Sequence, residues 1–161
     1  MRVLEMQVSA LMQMCASEKE SDRRLAREEL HRLLEKQAGL QACCDPEYLI
    51  RELLLELGVP EHLVGHPYVV EAVMLAIQDR SYIDNLTFRL YPQLAARFNT
   101  TVSRVERAIR NVIEITWTQG DWETLVRYFG NTVNAKKGKP TNGAFLARIA
   151  NVVDLRMRKA A

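Results

Sequence analysis

Tyr91–Trp117, YPQLAARFNTTVSRVERAIRNVIEITW, is the stretch whose reading decides the fold. Leu94 and Phe98 mark the apolar stripe of a first helix, with small Ala95 where a second helix would cross it. Asn99 stands at the turn, where a positive φ is needed and asparagine is the best residue after glycine. Thr100 or Thr101 can cap the second helix with a hydroxyl. Val105, Ala108, Ile109, Val112, Ile113 and Trp117 then recur at helical spacing as an inward row. Ser103, Arg104, Glu106, Arg107 and Arg110, with Asn111 beside them, are left facing outward. Helix, tight turn and helix in this form make a helix-turn-helix, whose second helix can lie in the major groove of DNA.

Each outward residue has groove chemistry. An arginine can pair bidentately with guanine O6 and N7, and a glutamate can accept from a cytosine amino group. Arg104, Glu106 and Arg107 are therefore the candidate base readers. Ser103 can bond a phosphate or a base edge, and Arg110, further along, reaches more naturally to the backbone. The helix dipole favours an N-terminal end turned toward phosphates. A plain solvated helix fits the same pattern, with Glu106 and Arg110 forming a surface i,i+4 ion pair worth about 0.2–0.5 kcal/mol.

Outward from this motif, nearly every segment has helical period and helical punctuation. The class is all-α: a compact multi-helix domain containing the helix-turn-helix, preceded by a two-helix N-terminal segment. Leu4, Val8, Leu11 and Cys15 form one stripe of a helix over Met1 to Ala16. Ser17 and Glu20 have capping-box spacing, and a second helix from Asp22 to Gln37 carries Leu25, Leu30, Leu33 and Leu34 and can stop at Gly39. These two helices must pack on each other, on the C-terminal part or on a second chain. Asp45-Pro46 opens a helix that runs to Gly58, Pro67 opens a crowded apolar helix, and Ser81–Leu90 is a further helical piece. Asp121 and Gly130 bracket the next helix. A loop with Lys136, Lys137 and Lys139 leads to a last helix opened by Pro140-Thr141-Asn142. The expected division is 1–44, an N-terminal segment for dimerisation or partner docking, and 45–161, the helix-turn-helix domain.

The 161 residues carry a formal charge of only +2, unevenly spread. Residues 1–44 hold 7 Lys/Arg against 7 Asp/Glu, residues 45–90 hold 3 against 8, and residues 91–161 hold 12 against 5. The basic surplus thus lies with the candidate motif, as a phosphate-facing surface requires. No Gly-rich phosphate loop, nucleophile elbow or metal-ligand spacing occurs. Cys15, Cys43 and Cys44 are odd in number with two adjacent, and His31 gives no zinc spacing with them, so neither a disulfide framework nor a metal site is expected. His31, His62 and His66 converge on no nucleophile or acid, and no enzyme activity or cofactor is expected. No apolar run is long enough to span a bilayer and no signal-peptide pattern opens the chain, so a cytoplasmic location is expected.

LYPQLAARFNTTVSRVERAIRNVIEITW, the later NTVNAKKGKPTNGAFLARIA and the earlier ELGVPEHLVGHPYVVEAVMLAI closely resemble the C-terminal DNA-binding effector domain of the stage-zero sporulation response regulator of endospore-forming bacteria. The likeness covers about residues 46–158, with NTTxSRVERAIR and the TVN…KPTN block in order. The resemblance implies base contacts by Arg104, Glu106 and Arg107. It implies backbone or mixed contacts by Ser103 and Arg110. Asn111 is a further candidate backbone contact, as are Lys136, Lys137 and Lys139, for which a plain solvated loop is the alternative. It also implies binding to TGTCGAA-like boxes, often in tandem, and RNA polymerase as a further partner. Asn111 stands where that family usually has histidine, and Phe88-Arg89 replace a Lys-Val pair. The family's regulator begins with a phosphorylatable α/β receiver, for which residues 1–44 are too short. Aspartyl phosphorylation is not supported as the switch.

The sequence thus points to a cytoplasmic, sequence-specific DNA-binding transcriptional regulator, and leaves open a homodimer through residues 1–44. The alternative is a receiver-less interaction module that binds and modulates a partner regulator.

Overall fold

The computed structural model describes residues 2–15, 21, 24–33, 45–130 and 138–160. Ser17–Glu20, Gly39, Lys136 and Lys137 lie outside them. All regular structure among the described residues is helical: α1 (Arg2–Cys15), α2 (24–33), α3 (Pro46–Glu56), α4 (Gly65–Gln78), α5 (Ser81–Asp84), a π-helical turn (Leu86–Leu90), α6 (Tyr91–Arg97), α7 (Val102–Gln119), α8 (Trp122–Phe129) and α9 (Asn142–Ala160). Met1–Cys43 and Cys44–Ala161 form two compact units.

In the first unit, Ala26 is buried while Leu25 is 63% exposed. The inward row of α2 is Ala26, Leu30 and Leu33, at spacings of four and three, so Leu25 sits about 100° off that row. Ala10 and Leu11 of α1 and Glu29 and Leu33 of α2 line a groove of about 290 Å3. Met6, Met12 and Met14 are exposed.

In the second unit, caps set the helices and apolar faces hold them. The Asp45 carboxylate accepts from Glu47 N at 3.0 Å, Pro46 fills the first turn, and Gly58, with φ 73°, stands just past the end of α3. Leu49, Ile50, Leu53 and Leu54 of α3 are buried. α4 begins at Gly65, two residues ahead of the start expected at Pro67, and a proline inside the first turn loses no helical hydrogen bond. Its Val69, Ala72, Val73 and Ala76 are fully buried, and α4 packs against both α9 and α7, making it the central element. Phe145, Leu146, Ile149 and Val153 of α9 complete this core. Each such large side chain contributes about 1.5–3 kcal/mol by leaving water. Trp117 of α7 meets Phe129 of α8 edge-on at 4.9 Å, and Phe129 stacks on Phe145 at 5.6 Å.

The helix expected over Ser81–Leu90 is broken at Asn85. After it, Leu90 N bonds Asn85 O at 3.3 Å, and the added residue per turn places Leu90 in the core while Phe88 stands 84% exposed. Arg89 turns back over the Tyr82 ring, 4.2 Å from its centroid, and pairs with Asp79 at 2.8 Å.

Candidate nucleic-acid interface

The turn between α6 and α7 takes the geometry its residues require. Asn99 has φ 49°, and Thr100 N closes onto Ala95 O at 2.9 Å. Thr101, not Thr100, is the cap: its backbone is extended and its hydroxyl accepts from Arg104 N at 3.4 Å. α6 is held to α4 by the Arg97–Glu71 ion pair, 2.8 Å, and by the Tyr68 and Phe98 rings, 4.8 Å apart. Leu94 and Ala95 are buried beneath the crossing.

The inward row of α7 is buried at Val105, Ile109, Val112 and Ile113, and half-buried at Ala108 and Trp117. Ala108 lies where α4 passes closest. A Cβ on Gly65 would stand 2.8 Å from the Ala108 carbonyl carbon, so only a residue without a side chain allows that approach.

Ser103, Arg104, Glu106, Arg107 and Asn111 are all exposed, as expected for an outward face. Arg104, Arg107 and Asn111 line one groove of about 480 Å3. Val64 and Tyr68 from the start of α4 and Thr100 from the turn form its other side. Arg51, Arg89, Arg97 and Arg156 are all engaged in ion pairs. Arg104 and Arg107 form none among the described residues, which leaves two guanidiniums available at the N-terminal half of α7.

The other edge of α7 is strapped. Arg110 is half-buried and its Nη1 donates to Pro140 O at 2.9 Å rather than pairing with Glu106 along the helix. Lys139 is ion-paired with Glu114. Asn142 is buried, and its Nδ2 donates to Glu106 O at 3.2 Å and to the Tyr91 hydroxyl at 3.1 Å. Burial holds the Tyr91 phenol above its ordinary pKa, with the Asn142 hydrogen bond working the other way, so the hydroxyl stays neutral. Thr141 caps α9 with its hydroxyl accepting from Ala144 N at 3.2 Å.

Val64, Tyr68 and Thr100 in the groove and the strap residues Asn142 and Tyr91 carry no signal in local spacing. Asn142 reads as an ordinary helix opener until its partners are seen. No group of three or more His, Cys, Asp or Glu among the described residues could hold a metal, and no helix among them is long and apolar enough to cross a membrane.

A helix-turn-helix with an exposed face carrying two arginines unpaired among the described residues fits a class of protein: a helical DNA-binding domain. Residues 50–153 match the family described as "Sporulation initiation factor Spo0A C terminal", and the chain belongs to that family. The family is one of DNA-binding sporulation regulator domains, not of enzymes.

Proposed function

We propose that the chain is a sequence-specific transcriptional regulator in which α7 reads bases through Arg104, Glu106 and Arg107. The observation that carries this reading is the pair of exposed, unpaired guanidiniums of Arg104 and Arg107 on one groove of α7. Ser103 and Asn111 flank them toward the phosphates. Arg110 reaches a phosphate only through N–H groups that Pro140 does not hold. Lys139 contributes charge from beside Glu114, with Lys136 and Lys137 preceding it in sequence. The target is a TGTCGAA-like box, single or in tandem.

Residues 1–44 are read as a docking or dimerisation segment. The exposed Met6, Met12, Met14 and Leu25 favour a protein contact there. An interaction with RNA polymerase belongs to the same reading.

A mobility-shift titration of the chain on a box duplex and on its scrambled version tests the main proposal. Preference for the box is expected, with affinity falling steeply as salt rises. Equal affinity for both duplexes overturns base reading. No shift even at low salt favours the interaction-module alternative.

A further inference from the structure

The segment 139–142 meets α7 along a single stripe. Glu106, Arg110 and Glu114 are four residues apart, and they are met in turn by Asn142, Pro140 and Lys139, running antiparallel. Asn142 is the only one of these strap residues that also reaches α6, through the Tyr91 hydroxyl. It joins both helices of the motif to the first turn of α9 from a position only 5% exposed. Its Oδ1 is buried and has no partner among the described residues.

We propose that Asn142 is a positioning residue for base reading, on the premise that α7 reads DNA as set out above. Its Nδ2 sets the rotation of α7 about its own axis and its angle to α6. The Glu106 carbonyl it holds belongs to the residue whose side chain faces outward between Arg104 and Arg107. A small rotation of α7 moves all three side chains off the base edges together. Bidentate pairing is sensitive to such displacement, whereas phosphate attraction is long-ranged and tolerates it. Asn142 touches no DNA in this arrangement, because it lies buried beneath α7.

The test compares the wild-type chain, Asn142→Ala and Tyr91→Phe on a TGTCGAA-type duplex and on the same duplex with the box scrambled, at one salt concentration, below each protein's melting temperature. Asn142→Ala is expected to lower the box-to-scrambled affinity ratio about tenfold while leaving scrambled-DNA affinity unchanged. A purely structural role lowers the folded fraction, which scales both affinities equally and leaves the ratio unmoved. An unchanged ratio with a lowered melting temperature therefore overturns the proposal. Where Asn142→Ala does not fold, Tyr91→Phe decides. It removes only one bond and is expected to lower the ratio about threefold, and an unchanged ratio in that folded variant overturns the proposal equally. A wild-type ratio near one sinks the DNA-reading premise instead, and is seen before any variant is compared.

Discussion

A Cβ on Gly65 would lie 2.7 Å from Val112 Cγ2, so the start of α4 and the inward face of α7 meet with no room for a side chain. This contact fixes how far α7 stands from the central helix. Gly65→Ala forces α4 and α7 apart and is expected to destabilise the second unit by about 1–3 kcal/mol, as overpacking does. Urea denaturation followed by circular dichroism measures it. A midpoint equal to that of wild type would show that the crossing yields without cost.

Arg104 and Arg107 can be separated from the strapped arginine. Arg104→Ala and Arg107→Ala are each expected to cost about 1–3 kcal/mol on the box duplex. Arg110→Ala is expected to act more on stability than on base preference, because its guanidinium holds Pro140 O. Fluorescence anisotropy on box and scrambled DNA, beside thermal melts, distinguishes the two behaviours. A large loss of base preference in Arg110→Ala with an unchanged melt contradicts this division.

The turn residue gives a sharper stability prediction. At φ 49°, Asn99→Ala keeps a Cβ in the left-handed region but loses the short polar side chain that makes asparagine tolerant of it, and is expected to cost about 1 kcal/mol, while Asn99→Gly stays near neutral. Denaturation midpoints of the two variants check this. The reverse order of stabilities would exclude backbone strain as the reason for asparagine here.

His66 predicts a pH dependence. Burial, with a smaller contribution from the Arg51 charge, lowers its pKa below the ordinary value of 6.5, against the opposing pull of Glu61. The unfolded chain therefore takes up the proton first as pH falls. Stability from this group is complete above about 6.5 and declines as pH drops through the unfolded and then the folded value. The melting temperature is expected to fall between about pH 7 and pH 5. His66→Gln should flatten that slope, and identical slopes in the two proteins would assign the acid sensitivity elsewhere.

Much of the motif was legible from neighbouring residues alone. Asn99 at positive φ, a threonine cap at 100 or 101, the Asp121 cap, the Gly130 stop and the inward row of α7 are each settled within one or two helical turns. The helical piece over Ser81–Leu90 was legible only in part. Its π-helical turn arises because Leu90 must reach the core, a demand set by distant residues. Leu25 is exposed because α2 turns its neighbour Ala26 inward.

The strap is the clearest case of what local pattern does not contain. Asn142 finds Tyr91 and Glu106 across 51 and 36 positions, and Arg110 finds Pro140 across 30. The sequence by itself determined an all-α chain with a helix-turn-helix and a basic face, because caps, turn conformation and helical period are short-range properties. Only the tertiary structure decided which arginines of that face are available and which are tied back. Hydrogen-bond partners are chosen by packing in space, and spacing along the chain does not record them.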